Sequence, residues 1–220
     1  MSAFSLTDRP TGSRLSRVLL VLAAAVVLVA GGWSVGRLSA PGSSVPAEGS
    51  PEAGFARDMQ THHLQAVEMT ILVRDRTKDP EIRQLAYDVA RTQQQQAGQM
   101  YGWLSMWGLP QASPQPAMAW MNERTAHGSA PDAGHTGSAE DPGMPGMATA
   151  AELAELSAAE GEEAERLYLQ LMIPHHQAGT TMAEAALEQT DTPAVRSLAQ
   201  SILTSQQSEI RYMEELLEAR

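Results

Sequence analysis

Met59-Gln60-Thr61-His62-His63 and Met172-Ile173-Pro174-His175-His176 carry the same Met-x-x-His-His pattern, 113 residues apart. The offset holds well outside the histidines. Phe55 aligns with Tyr168, Met69 with Met182, Pro80 with Pro193 and Arg83 with Arg196. Leu85-Ala86 aligns with Leu198-Ala199, Gln93-Gln94 with Gln206-Gln207, and Met100 with Met213. No gap is needed between 55–100 and 168–213, so the chain contains an internal duplication. Four of its six histidines sit in the two pairs.

Signals for helix surround both copies. Ser50-Pro51-Glu52 supplies an N-cap, a proline at the first helical position and an acidic first turn. The spacing of Phe55, Met59, His62, Ala66, Met69 and Val73 predicts a helix over 51–76 with those residues on its inner face. Asp79-Pro80-Glu81 repeats the start signal and predicts a second helix over 80–107. Its inner positions are Ile82, Ala86, Val89, Gln93, Gln96, Met100, Trp103 and Trp107. In the second copy a helical segment from Ala150 leads into the main helix, with Ser157-x-x-Glu160 as a candidate capping box and an end near Gln189. Thr192-Pro193 opens the last helix, lined by Val195, Ala199, Ile202, Gln206, Glu209, Met213 and Leu216. The expected fold is all-α: a ferritin-like four-helix bundle of two duplicated hairpins within 51–220, joined by a flexible crossover at about 108–149. That crossover is rich in Gly, Pro, Ala and Ser. It is expected to be a solvated connection, with loose metal capture by His127, His135, Met144 and Met147 as the rival reading.

Before the bundle, residues 1–17 are polar and basic, with Arg9, Arg14 and Arg17. An apolar segment over 18–35 follows, ending around Trp33. It is close to the lower length for a bilayer span. Leu38-Ser39-Ala40 is a poor cleavage site, so an uncleaved membrane anchor is expected, with secretion after signal cleavage as the alternative. The arginines hold the N-terminus inside and place the C-terminal domain outside the cytoplasm. Residues 36–50 read as a flexible tether.

Composition limits the chemistry. A net charge of −11 argues against nucleic acid as a partner and suits cations. With no cysteine, thiolate metal sites and thiol catalysis are excluded. The helical registers then place an unusual polar layer in the core. His62 lies 16 residues before the turn at Lys78, which pairs it with the region between Gln93 and Gln96. The same count about Asp191 pairs His175 with the region between Gln206 and Glu209. Met59 and Met172 lie one helical turn before the histidines of their own copies. The candidate metal ligands are therefore Met59, His62, His63, Met172, His175 and His176. Gln93, Gln96, Gln206 and Glu209 are expected as their supporting partners, and Asp58, four residues before His62, as a group that orients an imidazole.

Imidazole plus thioether without thiolate suits copper, with zinc an alternative through imidazole alone. Neither copy has the Glu-x-x-His pairing of di-iron bundles, and no nucleophile motif or phosphate loop occurs. Two other functions are weighed against metal binding: a ferritin-like metal-dependent oxidase, and a helical module presented to a protein partner. Seam histidines hydrogen-bonded for stability alone are the structural alternative.

Met172-Ile-Pro-His-His-Gln-Ala-Gly-Thr-Thr-Met-Ala183, with Asp58-Met-x-x-His-His63, resembles the exported family catalogued as domain of unknown function 305, which includes CopM-like copper-binding proteins. The resemblance covers about Phe55 to Leu217. It implies a ferritin-like bundle outside the cytoplasm and copper binding by Met59, His62, His63, Met172, His175 and His176. Ala178-Gly179 stands where the family pattern has Gly-Ala.

Overall fold

The computed structural model describes residues 12–39, 45–122 and 144–220. All regular structure among them is helical: α1 (Gly12–Ser39), α2 (Pro51–Arg76), α3 (Pro80–Trp107), a 3-10 turn (Ala119–Asn122), α4 (Ala150–Ala158), α5 (Gly161–Gln189) and α6 (Pro193–Glu218). Two compact units result, one holding α1 and the other running from Val45 to Arg220.

In α1 the stretch Ser16–Trp33 has a mean hydropathy of 2.0 and none of it is buried, so by length and composition the helix can cross a membrane.

In the second unit, α2 pairs with α3 and α5 pairs with α6, and α2 packs along α5. The starts are set by the caps the sequence carries. The Ser50 side chain accepts from Ala53 N, and the Asp79 carboxylate accepts from Glu81 N and Ile82 N at 2.9 Å each. Gly108, at φ 69°, takes the left-handed conformation that ends α3.

The duplication survives in atomic detail. Arg83 donates to the carbonyls of Arg74 and Thr77, and its counterpart Arg196 donates to those of Leu187 and Thr190. Thr77 donates to Glu165 across the bundle, and Thr190 donates to Glu52, the matching residue of the other copy. The apolar core splits in the same way. One cluster holds Phe55, Met59, Met100, Met182 and Ile202, and the other holds Tyr168, Met172, Met213, Met69 and Val89. Each takes residues from all four long helices. The two are related by exchange of the copies, so α2 and α5 run antiparallel with the polar layer between the clusters.

Two expectations fail locally. Ser157-x-x-Glu160 forms no capping box: Ser157 lies within α4, and α5 starts at Gly161 with no side-chain cap from Glu160. Gly161 has φ +58°, a conformation suited to glycine, and it redirects the chain between α4 and α5, four residues after the expected cap. The capping box belongs to α4 instead, where Thr149 and Glu152 bond reciprocally.

The crossover is also not uniformly irregular. Trp120, in its 3-10 turn, is 3% exposed and meets Phe55 edge-to-face at 6.0 Å. It fits because residue 54 is glycine: a Cβ there would stand 2.4 Å from the indole. Further on, the Gln65 amide bonds Ala148 through both its N–H and its C=O, and Gly146 lies against the Pro174 carbonyl. His127 and His135 lie outside the described residues.

Candidate functional site

His62 on α2 and His175 on α5 come together where the two antiparallel helices cross level. Their rings stack with centroids 3.6 Å apart and planes inclined by 27°. His63 and His176 flank this stack, each ring 6.3 Å from that of its chain neighbour. All four histidines are fully buried. The registers thus bring both pairs into one layer, as the sequence predicts.

The hydrogen bonds differ from the expected pairing. The outer histidines, not the inner ones, take the polar partners from α3 and α6. His63 Nε2 lies 2.8 Å from Gln96 Oε1, and His176 Nε2 lies 2.8 Å from Glu209 Oε2. A carboxylate or amide oxygen only accepts, so each ring carries a proton on Nε2, and in the neutral form of the ring the Nδ1 lone pair is open. Nδ1 of His63 and of His176 have no hydrogen-bond partner, and neither do both nitrogens of His62 and both of His175. Gln93 and Gln206 reach the layer, but their buried amides have no partner either. The Gln206 amide lies over Gly179, where a Cβ would stand 2.3 Å from its Oε1. The Ala-Gly order of the second copy therefore makes room for that amide.

Burial dominates the electrostatics. Desolvation holds His62 and His175 well below the usual imidazole range, neighbouring histidines add to the effect, and a weak interaction of each ring with the other histidine's backbone, too poorly aligned to satisfy a ring nitrogen, opposes it. Burial brings His63 down to about 3 against the opposing hydrogen bond that the ring donates to Gln96 Oε1. These three rings are therefore neutral at physiological pH, the state in which imidazole nitrogen donates to a metal.

Met59 and Met172 are fully buried but fall in opposite apolar clusters, one on each side of the layer. Asp58 does not orient an imidazole. Its Oδ2 accepts from Met118 N and Trp120 Nε1, both at 2.8 Å, and so ties the crossover to α2. Burial raises its pKa, opposed by these two bonds. The second copy has Leu171 in that place. Among the described residues, no group of three or more His, Asp or Glu side chains is already gathered round one cation position.

One residue escaped the sequence reading as a site residue. Tyr168, the counterpart of Phe55, buries a hydroxyl with no partner, and burial together with the Glu209 charge raises its pKa. The Phe-to-Tyr difference between the copies was the available signal.

Fold and site together define a duplicated helical bundle with a buried histidine layer, preceded by an apolar helix. The chain belongs to the DUF305 family, a domain of unknown function whose profile matches residues 52–217. A DUF305 protein of Streptomyces coelicolor, described as secreted, is 46% identical with a TM-score of 0.69, covering 79% of this chain and 95% of that one. A DUF305 fragment from Deinococcus radiodurans is 32% identical with a TM-score of 0.62, covering 80% and 100%. CopM in its Cu(II)-bound form shares the fold at 24% identity and a TM-score of 0.57, over 76% of this chain and 96% of that one. The uncharacterized protein L153 of Acanthamoeba polyphaga mimivirus is 39% identical over 56 residues, little more than a third (37%) of its length.

Proposed function

We propose that the Val45–Arg220 unit is an extracytoplasmic copper-binding domain, a buffer or carrier, whose ligands are His62, His63, His175 and His176 with the thioethers of Met59 and Met172. The observation that carries this reading is the set of six buried imidazole nitrogens without partners in one layer. Each buried polar group left unmade costs about 1–3 kcal/mol. Histidines placed only to hold the bundle together would be expected to have hydrogen bonds. These keep a partner on Nε2 of the outer rings alone, which fixes the tautomer with Nδ1 open, an arrangement common behind metal-bound histidines.

The donor set fits copper better than zinc. It offers neutral imidazoles and thioethers, and the one carboxylate at the layer, Glu209, bonds a ring. CopM, of the same fold, has been obtained in Cu(II)-, Cu(I)- and silver-bound forms, which supports a soft-metal role here. When bound, copper would supply a positive charge for the open lone pairs.

This chain's part is to present those lone pairs in a dry layer and then adjust. Imidazole lone pairs lie in the ring plane. Two rings stacked at 3.6 Å cannot aim theirs at one point. Shared ligation therefore needs at least one inner ring to turn. The apolar helix α1 anchors the protein with the bundle outside the cytoplasm; processing after it would release the same domain.

The test is metal analysis and Cu(I) titration of the full chain, purified in detergent without a histidine tag. The reading expects copper to bind and to be lost when His62, His63, His175 and His176 are all replaced. Retained binding in that variant would contradict it.

A further inference from the structure

The two halves of the layer share the His pair and the Gln93/Gln206 position, and besides the Ala66/Gly179 exchange under the Gln206 amide they differ at two chemically important places. Gln96 in the first copy is Glu209 in the second, and Phe55 is Tyr168. Gln96 and Glu209 play the same geometric part, each 2.8 Å from Nε2 of its outer histidine. Their chemistry differs. Gln96 is a neutral amide and is buried, 5% exposed. Glu209 carries an ionisable carboxylate whose side chain is 23% exposed, so it also links the layer to solvent. Beside it stands the partnerless hydroxyl of Tyr168, which has no counterpart in the first half.

A cation on Nδ1 of His176 would have a carboxylate on the far side of the same ring. A cation on Nδ1 of His63 would have only an amide dipole. In a buried site that difference is weakly screened. A carboxylate behind a ligating imidazole also makes the ring a stronger donor. The advantage grows with the charge of the ion, because a fixed anion attracts a dication more than a monocation.

Building on the copper reading of the layer, we infer that the two halves are unequal sites, with Glu209 making the His176 half the tighter one for both ions and most of all for Cu(II), while the neutral Gln96 half is weaker and discriminates less between the two oxidation states. Glu209 acts here through His176 as a positioning and charge-compensating residue.

The experiment uses the full chain in detergent with Cu(I) and Cu(II) as probes. Titration against a competing chelator gives the affinities, and imidazole 15N resonances show which ring responds first to diamagnetic Cu(I). In the parent, His176 should shift before His63, with affinities separated by about 10–100-fold. Glu209→Gln makes the second half resemble the first. It should bring the two affinities together at the weaker value and lower the Cu(II)-to-Cu(I) affinity ratio by about tenfold or more. Gln96→Glu should do the reverse, raising the His63 half to the tighter value. This second variant decides the matter if the first folds poorly.

His63 responding first, or a Cu(II)-to-Cu(I) ratio unmoved by both substitutions, would overturn the inference while leaving copper binding by the layer intact. No copper-dependent shift in any of the four rings would remove the inference and the copper reading together.

Discussion

Replacing His62 and His175 together by leucine separates a ligand layer from a structural one by the sign of the stability change. A neutral imidazole has one donor and one acceptor, and both nitrogens of both rings are buried without partners. Four unmade polar groups at about 1 kcal/mol each, the low end of the usual range, put about 4 kcal/mol against the copper-free fold. The stack at 3.6 Å returns about 1 kcal/mol. Leucine has a similar volume and no polar atoms, so His62→Leu/His175→Leu should stabilise the copper-free protein by about 3 kcal/mol. For a domain of this size that is a rise in Tm of roughly 6–12 °C. Thermal melts in a strong copper chelator measure it. The parent should also gain about 2.7 kcal/mol at free copper 100 times Kd, and the double variant should lose that gain. A double variant that melts well below the parent, combined with no copper effect on the parent, would refute the reasoning. Such a result would mean that the rings hold the bundle together.

Three further outcomes follow from the same geometry. The copper-free protein should be acid-labile: His62, His63 and His175 titrate below the ordinary value of 6.5 when folded, so on acidification the unfolded chain takes up protons first. Stability is then complete above pH 6.5 and is lost towards pH 3, by up to about 1.4 kcal/mol per pH unit for each histidine, as melts across that range would show. Asp58→Ala should free Met118 N and Trp120 Nε1 and cost about 2–5 kcal/mol; amide exchange at Met118 should accelerate while copper affinity stays within about twofold, whereas a collapse in affinity would return Asp58 to the site. Intact-mass measurement of the protein from its native membrane should show α1 retained, and a mass corresponding to a start near Pro41 would mean cleavage.

The parts of this molecule that were legible in the sequence are those governed by periodicity and caps. Ser50-Pro51, Asp79-Pro80 and Thr192-Pro193 locate three helix starts, because proline at the first turn acts locally, joined at Ser50 and Asp79 by a capping side chain. The level of the histidine layer follows from counting residues either side of two short turns. What could not be read depends on tertiary partners. Which member of each His pair meets the polar residues of α3 and α6 turns on helix rotation by a fraction of a residue, and periodicity does not resolve that. Asp58 is one turn from His62 and therefore looked like its partner, but the carboxylate points to a turn 60 residues away in the chain. The cue to that turn is Gly54, whose missing Cβ admits Trp120 and whose counterpart in the second copy is Leu167.

X-ray absorption at the copper edge of the full chain, loaded with one equivalent of Cu(I), tests the central claim most directly. Scattering from imidazole nitrogen is required if the histidine layer is the site, and a sulfur shell in a protein without cysteine can come only from a methionine thioether. The account predicts both shells in the parent, with the imidazole signal abolished when the four layer histidines are replaced. A spectrum of oxygen ligands alone, or one unchanged by those replacements, would contradict it.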